Sequence, residues 1–333
     1  MEKGDTKRFT GDIPVLSVRG NGIAEAWENS VVELYNHGAW YARQGPKDKG
    51  QLHIDSTMTI EIENPDSPLF MHKYIQYDFA DLLEYELEIL GAKDILVHNS
   101  ELDPEDDKRW PYHYSERFSS YPGSKEKINQ IEGMVKGLSE EPWKRRNQSI
   151  TWSPEKDIDS KDPPCLQRVW AYIAPVGENP EEEGSKLNMN YHFRSNNVMI
   201  AAPMNMKGLH AIQSYLRDRV IENTGMKLTN GRLVGMIDSY HVSAQDQPIL
   251  EGFMKRFEKS KSKGETIQDR LFSGDFIHEQ YESARKGIEE KIIGQVKKRI
   301  DERANSQLER ETENIRRLSK MRKKAFEKEQ DGN

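Results

Sequence analysis

The chain reads as a mixed α+β domain, a mixed sheet with packed helices, followed by a long charged helical extension. Three observations predict this. Strand-like and helical segments interleave up to about residue 255. Several strand-like segments suit antiparallel pairing with a neighbour, which a doubly wound parallel sheet does not use. After about Arg256 the apolar residues thin out and charge becomes dense, as in Lys255-Arg256-Phe257-Glu258-Lys259. The expected division is therefore a domain over residues 1–255 and a mainly helical extension over 256–333.

Taken in order, Val15 to about Gly38 reads as a strand leading into a helix, with Ala24, Trp27, Val31 and Leu34 on one face. Arg43 to Gly50 is a Gly/Lys/Asp loop, and Thr57 to Ile62 alternates as a strand that stops at Asn64-Pro65. Phe79 to Leu90 has helical period through Leu82, Leu83, Leu87 and Leu90, with Gly91 as a helix-ending glycine. Asn99 to Gly123 is polar and aromatic-rich, a loop suited to lining a ligand or covering a core. A helix is expected from Ile128 to Leu138, with Ile128, Ile131, Met134 or Val135, and Leu138 inward. Strands follow at Ser149–Trp152, Arg168–Ala174 and Leu187–Phe193, then a helix from Met206 to about Val220 and a strand through Leu233–Ile237. Beyond Arg256, Ile288, Ile292, Val296, Ile300, Leu308, Ile315 and Leu318 recur at helical spacing but drift between heptad positions. That pattern favours a solvated helix or a packed hairpin over a long coiled coil.

Composition narrows the function. A net charge of −7 with no sustained basic face argues against a nucleic-acid surface, while leaving room for a small phosphorylated ligand held by a few arginines. No apolar run approaches a membrane span, and Met1-Glu2-Lys3-Gly4-Asp5 carries no apolar signal region. With one cysteine in 333 residues, an internal disulfide is impossible and a structural metal site is not expected. The expectation is a cytoplasmic protein.

That one cysteine, Cys165, lies in Asp162-Pro163-Pro164-Cys165-Leu166-Gln167, about thirty residues before Phe193-Arg194-Ser195-Asn196-Asn197. A lone cysteine is most often a packed small residue. An arginine and a serine suited to phosphate binding shift the balance here, so Cys165 reads as a nucleophile.

The ordered set resembles the thymidylate synthase superfamily, which includes thymidylate synthases and pyrimidine-nucleotide hydroxymethylases. It comprises Arg43, Glu84 ahead of Gly91, Trp110, Tyr121, Arg145-Arg146, Trp152, Pro163-Pro164-Cys165, Arg194-Ser195, Asn205 and His241. The resemblance spans roughly residues 10 to 250. Its most specific pieces are Pro-Pro-Cys, Phe-Arg-Ser-Asn and Ala202-Pro203-Met204-Asn205-Met206, and the Cys-Leu-Gln and Asn-Met variants are closest to the archaeal-type branch.

The resemblance implies that Cys165 adds to C6 of a pyrimidine nucleoside monophosphate. C5 then becomes a nucleophile for a one-carbon unit from 5,10-methylenetetrahydrofolate or a tetrahydropterin analogue. Arg194 lowers the thiol pKa on this reading, and Glu84 is the general acid/base. The phosphate falls to Arg194, Ser195, Arg43 and, across an obligate homodimer, Arg145 and Arg146. Consecutive arginines in a strand would point to opposite faces, so one of this pair is expected to make the phosphate contact. Asn205 reads the base edge, with uracil and cytosine both open because an amide donates and accepts.

Three departures bear on the product. Asn197 stands where the family commonly has an aspartate that holds the pterin, beside Trp110 as a cofactor contact. The sugar-gripping His-x-Tyr pair is here His241-Val242-Ser243, which leaves space for a ribose. The sequence closes on charged residues instead of a short apolar tail, which would admit water to the intermediate. Together they tilt the expectation toward a 5-hydroxymethyl product, with dUMP methylation as the alternative. A nucleotide-binding scaffold that uses the C-terminal helix as its interaction arm stays open as a third reading.

Overall fold

The computed structural model describes residues 11–42, 52–91, 112–123, 126–290 and 312–313. Its centre is a seven-stranded mixed sheet. The strands are β1 (Val15–Gly20), β2 (Ala39–Ala42), β3 (Leu52–Ile62), β6 (Gln148–Ile150), β7 (Leu166–Pro175), β8 (Ser185–Asn197) and β9 (Leu228–Val242). The small hairpin β4 (Tyr121–Pro122) and β5 (Lys127–Ile128) stands apart. The sheet order is β1-β3-β9-β8-β7-β6, with β2 also on β3. Only β1/β3 and β8/β9 pair in parallel, so the sheet is mixed as expected.

Alternation along the strands decides which face is covered. In β8, Leu187, Met189, Tyr191 and Phe193 are buried while the residues between them are partly exposed. Over the buried face lie α1 (Ile23–His37), α2 (Phe79–Ile89), α3 (Tyr114–Ser119), α4 (Gln130–Glu140) and the long α5 (Ala202–Thr224). The α5 helix is the central one. Leu209, Ile212, Leu216 and Val220 recur at helical spacing and are fully buried, each contributing about 1.5–3 kcal/mol. Gln213, also buried, donates from Nε2 to the carbonyls of Leu187 (2.8 Å) and Gly231 (3.1 Å). It thereby satisfies two strands where the β8/β9 register shifts.

Several expectations change in detail. Ile128 is 49% exposed and belongs to β5, because α4 starts at Gln130, capped by the Asn129 side chain. In α2 the third buried position is Ile89 and not Leu90, which has turned outward at the helix end before Gly91 (φ +79°). Arg145 and Arg146 sit in a turn ahead of β6, not in a strand, so the opposite-face argument does not apply to them. The aromatic-rich loop contains α3 and β4.

The change of composition near Arg256 falls inside a helix, α6 (Gln247–Ser262), whose Phe253, Met254 and Phe257 are all buried. The chain stays on the body beyond it. Ile277 packs with Met71 and Leu82, and Phe272 and Phe276 gather around Phe79 with ring centroids 6.0 and 6.1 Å away. Residues 274–290 are helical, with Ile288 buried, whereas Ile292, Val296, Ile300, Leu308, Ile315 and Leu318 lie outside the described residues.

A buried ionic cluster ties this segment to α1. Arg270 grips Glu28 with both prongs, Nε to Oε2 at 2.6 Å and Nη2 to Oε1 at 2.7 Å, and His72 Nε2 adds a 2.9 Å contact to Oε2. Burial pushes Glu28 up, but the bonds from Arg270 and His72 outweigh it and hold the carboxyl below its ordinary range. Burial pushes His72 down, and the opposing pull of Glu28 does not restore it.

Arg270→Met should cost about 3–5 kcal/mol in urea unfolding, because it strands the Glu28 carboxylate. A loss under about 1 kcal/mol would show that the cluster is not the clamp its geometry describes. His72 is neutral in the fold and takes up a proton once unfolded below pH 6.5. Stability should therefore fall as pH drops from about 7 toward 5, with a shallower slope in His72→Gln.

Candidate active site

Cys165 lies immediately before β7, whose first residue, Leu166, pairs with Phe193 of β8. The Cys165 carbonyl accepts from the Arg194 amide at 2.9 Å, which fixes the turn against the neighbouring strand. Two prolines precede it, and neither has an amide hydrogen. Arg194 meets both carbonyls, Nε reaching Pro164 O at 3.1 Å and Nη2 reaching Pro163 O at 2.6 Å, and Gln167 Nε2 also donates to Pro164 O at 2.6 Å. A guanidinium has five N–H groups, so about three remain for a ligand beside the thiol.

Two tyrosines hold the other side of the turn. The Cys165 amide donates to Tyr112 Oη at 3.4 Å and the Leu166 amide to Tyr114 Oη at 3.1 Å. Tyr112 is pushed up to about 12, chiefly by burial, and burial likewise holds Tyr114 well above its ordinary value. Both phenols thus keep their hydrogens at neutral pH. The half-buried thiol is pushed up by burial. Arg194 pulls it down and Asp162 up, while a hydrogen bond with Tyr112 pulls it down again, and the net result is a pKa above the ordinary thiol value. Arg194 acts in the expected direction, but burial outweighs it, so in this state the thiol is not acidified.

Asn205, in the first turn of α5, is held from both ends. Tyr85 Oη donates to its Oδ1, and its Nδ2 donates to Asn196 Oδ1 at 3.0 Å. The Tyr85 ring reaches this place because residue 208 is glycine; a Cβ there would lie 2.8 Å from the ring. Glu84, the neighbour of Tyr85 on α2, lines a cleft of about 290 Å³ with Gln76, Tyr77, Asp81, Tyr85, Glu88, Ile200 and Met204. Cys165 does not line that cleft, but it lies close enough to Tyr85 to raise that phenol's pKa, after burial, Glu88 and Tyr112.

The remaining candidates separate into groups. Ser195 pairs with Ser239 and Asn197 with His241 at the ends of β8 and β9, close behind Arg194. His241 Nδ1 lies 3.3 Å from Ser239 O, and Ser243 opens the short turn that leads to α6. Asn197 is committed locally: Nδ2 donates to Asp246 at 2.7 Å, and Oδ1 accepts from the amides of Met199 and Ile200. Arg145 stacks over Tyr172, 5.6 Å from the ring centroid, and Arg146 pairs with Glu141, so within this chain neither joins the Cys165 cluster. Arg43 and Trp110 lie outside the described residues.

A sequence profile described as thymidylate synthase matches residues 90–327. The chain belongs to the thymidylate synthase family. It is thus a one-carbon transferase by family, and the match runs through both the Cys165 and Arg194 segments and past position 255. Arg43 and Glu84 lie upstream of it. Among curated relatives, a "Putative thymidylate synthase" of Methanocaldococcus jannaschii is 32% identical over 212 residues, covering 62% of this chain and 83% of that protein. One of the same name from Methanopyrus kandleri is 27% identical over 240 residues, covering 71% and 96%. Another from Methanosarcina mazei is 23% identical over 239 residues, covering 72% and 94%.

In this thymidylate synthase family chain the sequence reading missed Tyr85, Tyr112, Tyr114 and Asn196. Tyr112 and Tyr114 stood out only as part of an aromatic-rich stretch, since nothing in their spacing tells which hydroxyl meets the Cys165 turn. Tyr121, grouped with the resemblance, donates instead to Trp152 O at 2.7 Å.

Because Cys165 is the only thiol, iodoacetamide reports on it alone. Alkylation at pH 7 should be slower than for a free thiol and rise roughly tenfold per pH unit up to its raised pKa. Arg194→Ala and Tyr112→Phe should both slow it further at pH 7. A rate plateau already reached near pH 7 would show that the thiol is acidified in the free protein.

Proposed function

We propose that the chain transfers a one-carbon unit to C5 of a pyrimidine nucleoside monophosphate through a covalent bond from Cys165 to C6, with a 5-hydroxymethyl product. The observation that carries this reading is the gathering of thiol, arginine and amide on one sheet end. Cys165 and Arg194 are joined through the Pro163 and Pro164 carbonyls, and Asn205 is reached through Tyr85. Arg194, with donors to spare, and Ser195 would hold the phosphate. That binding would bring C6 over Sγ. Attack on C6 places charge on the ring carbonyl and C5, and Asn205 is the group that would hydrogen-bond the base edge as this charge develops. The protonated phenol of Tyr112 beside Sγ would donate to the thiolate when it leaves.

The family as a whole uses methylenetetrahydrofolate. The residues present fit such a donor. Tyr77 contributes a buried hydroxyl with no hydrogen-bond partner among the described residues, and its cleft adds the apolar Ile200 and Met204 and the carboxylates of Asp81 and Glu84. A flat ring rich in N–H donors suits that mixture. When bound, the donor supplies the carbon at the formaldehyde level of oxidation. Glu84 would move the proton at the nitrogen that departs, and Glu84 and Glu88 together would hold the water that adds to the carbon on C5. The cleft is largely apolar, and its carboxylates are the groups that would give that water its hydrogen bonds. The relatives' printed names favour methylation of dUMP as the second reading.

The same proposal includes a homodimer acting in the cytoplasm, built as a catalytic domain and a C-terminal extension. Across the uncovered face of the sheet, Val15, Met236 and Ile150 are exposed, and Trp170 stacks on Tyr172. Pairing two copies there would cover this apolar face, and Arg145 and Arg146 would serve the phosphate of the other copy.

Mass spectrometry after incubation with methylenetetrahydrofolate and, separately, dUMP, dCMP, UMP and CMP tests the reading. A gain of CH₂O on one nucleotide is expected, and Cys165→Ala should lower the rate by about 10³-fold or more. A gain of CH₂ on dUMP, with dihydrofolate formed, would replace hydroxymethylation by methylation. Turnover in Cys165→Ala close to wild type would remove the covalent route.

A further inference from the structure

We propose that Tyr85 and Asn196 fix which way the Asn205 amide faces and thereby decide between uracil and cytosine, an inference that rests on Asn205 meeting the base as read above. The two ends of an asparagine amide are nearly the same shape and opposite in hydrogen bonding. Uracil presents an acceptor at position 4 and an N–H at position 3; cytosine presents an amino group at position 4 and a bare nitrogen at position 3. One orientation of Asn205 matches uracil and the flipped one matches cytosine, so discrimination equals the cost of the flip.

Here the flip is opposed from both ends. Oδ1 takes the Tyr85 hydroxyl hydrogen, and Nδ2 gives one hydrogen to Asn196 Oδ1 at 3.0 Å. One lone pair on Oδ1 and one hydrogen on Nδ2 are left for a base, in a fixed order. Asn205 and Asn196 are buried, at 8% and 4% exposed, so water cannot readily replace a lost partner. Turning Asn205 alone would set its carbonyl against that of Asn196 and would make the Tyr85 hydroxyl turn its hydrogen away and accept from the NH₂ in place of donating. The Tyr85 ring is braced against α5 at Gly208, which holds its hydroxyl at Oδ1, and burial keeps that phenol protonated and able to donate. Both residues act through Asn205, without contact to C5 or C6, and are positioning residues.

The test compares kcat/KM for dUMP against dCMP, and for UMP against CMP, with a melting curve for each variant. Tyr85→Phe and Asn196→Ala should each lower the ratio of preferred to rejected base roughly tenfold to a hundredfold, chiefly by raising the rejected one. Asn196→Asp, which keeps an acceptor facing Nδ2, should retain the ratio. Folded Tyr85→Phe and Asn196→Ala that both keep the ratio within about twofold would overturn the lock. If one of them fails to fold, the ratio in the other decides alone. Asn205→Ala separates the two levels: an unchanged ratio there, or no turnover of any of these nucleotides by the wild type, would overturn the placement of the base at Asn205 and the inference with it.

Discussion

The site depends on a problem created by two prolines. Pro163 and Pro164 lack amide hydrogens and stiffen the approach to Cys165, yet their carbonyls still need donors where the chain turns into β7. Arg194 reaches both from the neighbouring strand, with Gln167 adding a second donor to Pro164. The same side chain therefore sets where the thiol stands and carries the positive charge that an anionic substrate would meet. A lysine could not do both, since its single ammonium lacks the planar fork that spans two carbonyls while leaving donors to spare.

Around that turn the protein accepts a thiol that is hard to ionise. Desolvation outweighs the arginine, and protonated tyrosines crowd the sulfur. In such surroundings the thiol form is the favoured one at neutral pH. Tyr85 lines the cleft beside Glu84 and bonds Asn205 with its hydroxyl, so one phenol borders both the cleft proposed for the donor and the amide proposed for the base.

Much of the fold was legible in the sequence because it rests on periodicity. Trp27, Val31 and Leu34 in α1 and the alternation in β8 are patterns of burial, and burial is local to each element. Element ends were less legible: Ile128 and Leu90 look apolar in register, but a cap at Asn129 and a turn before Gly91 move each out of the core. In the site, Cys165, Arg194 and Asn205 announced themselves as ordered motifs; Arg194 bonds the prolines before Cys165, and Asn205 bonds Tyr85 and Asn196. Tyr85, Asn196 and Gly208 could not announce themselves, because their roles exist only where α2, β8 and α5 meet. The charge after Arg256 is a separate case. It marks a solvated surface, and the sparse Phe257, Ile277 and Ile288 beneath it suffice to seat the segment.

Glu28 and Arg270 are 242 residues apart in the chain, and the clamp they form closes almost the whole of the described structure into one loop. During synthesis α1 precedes Arg270 by more than two hundred residues, so the ionic contact can form only after that stretch has been made. Closing so long a loop costs entropy that only late contacts repay, so folding of this chain is expected to be slow and its last step decisive. A chain cut short before Arg270 would leave the Glu28 carboxylate without its guanidinium partner.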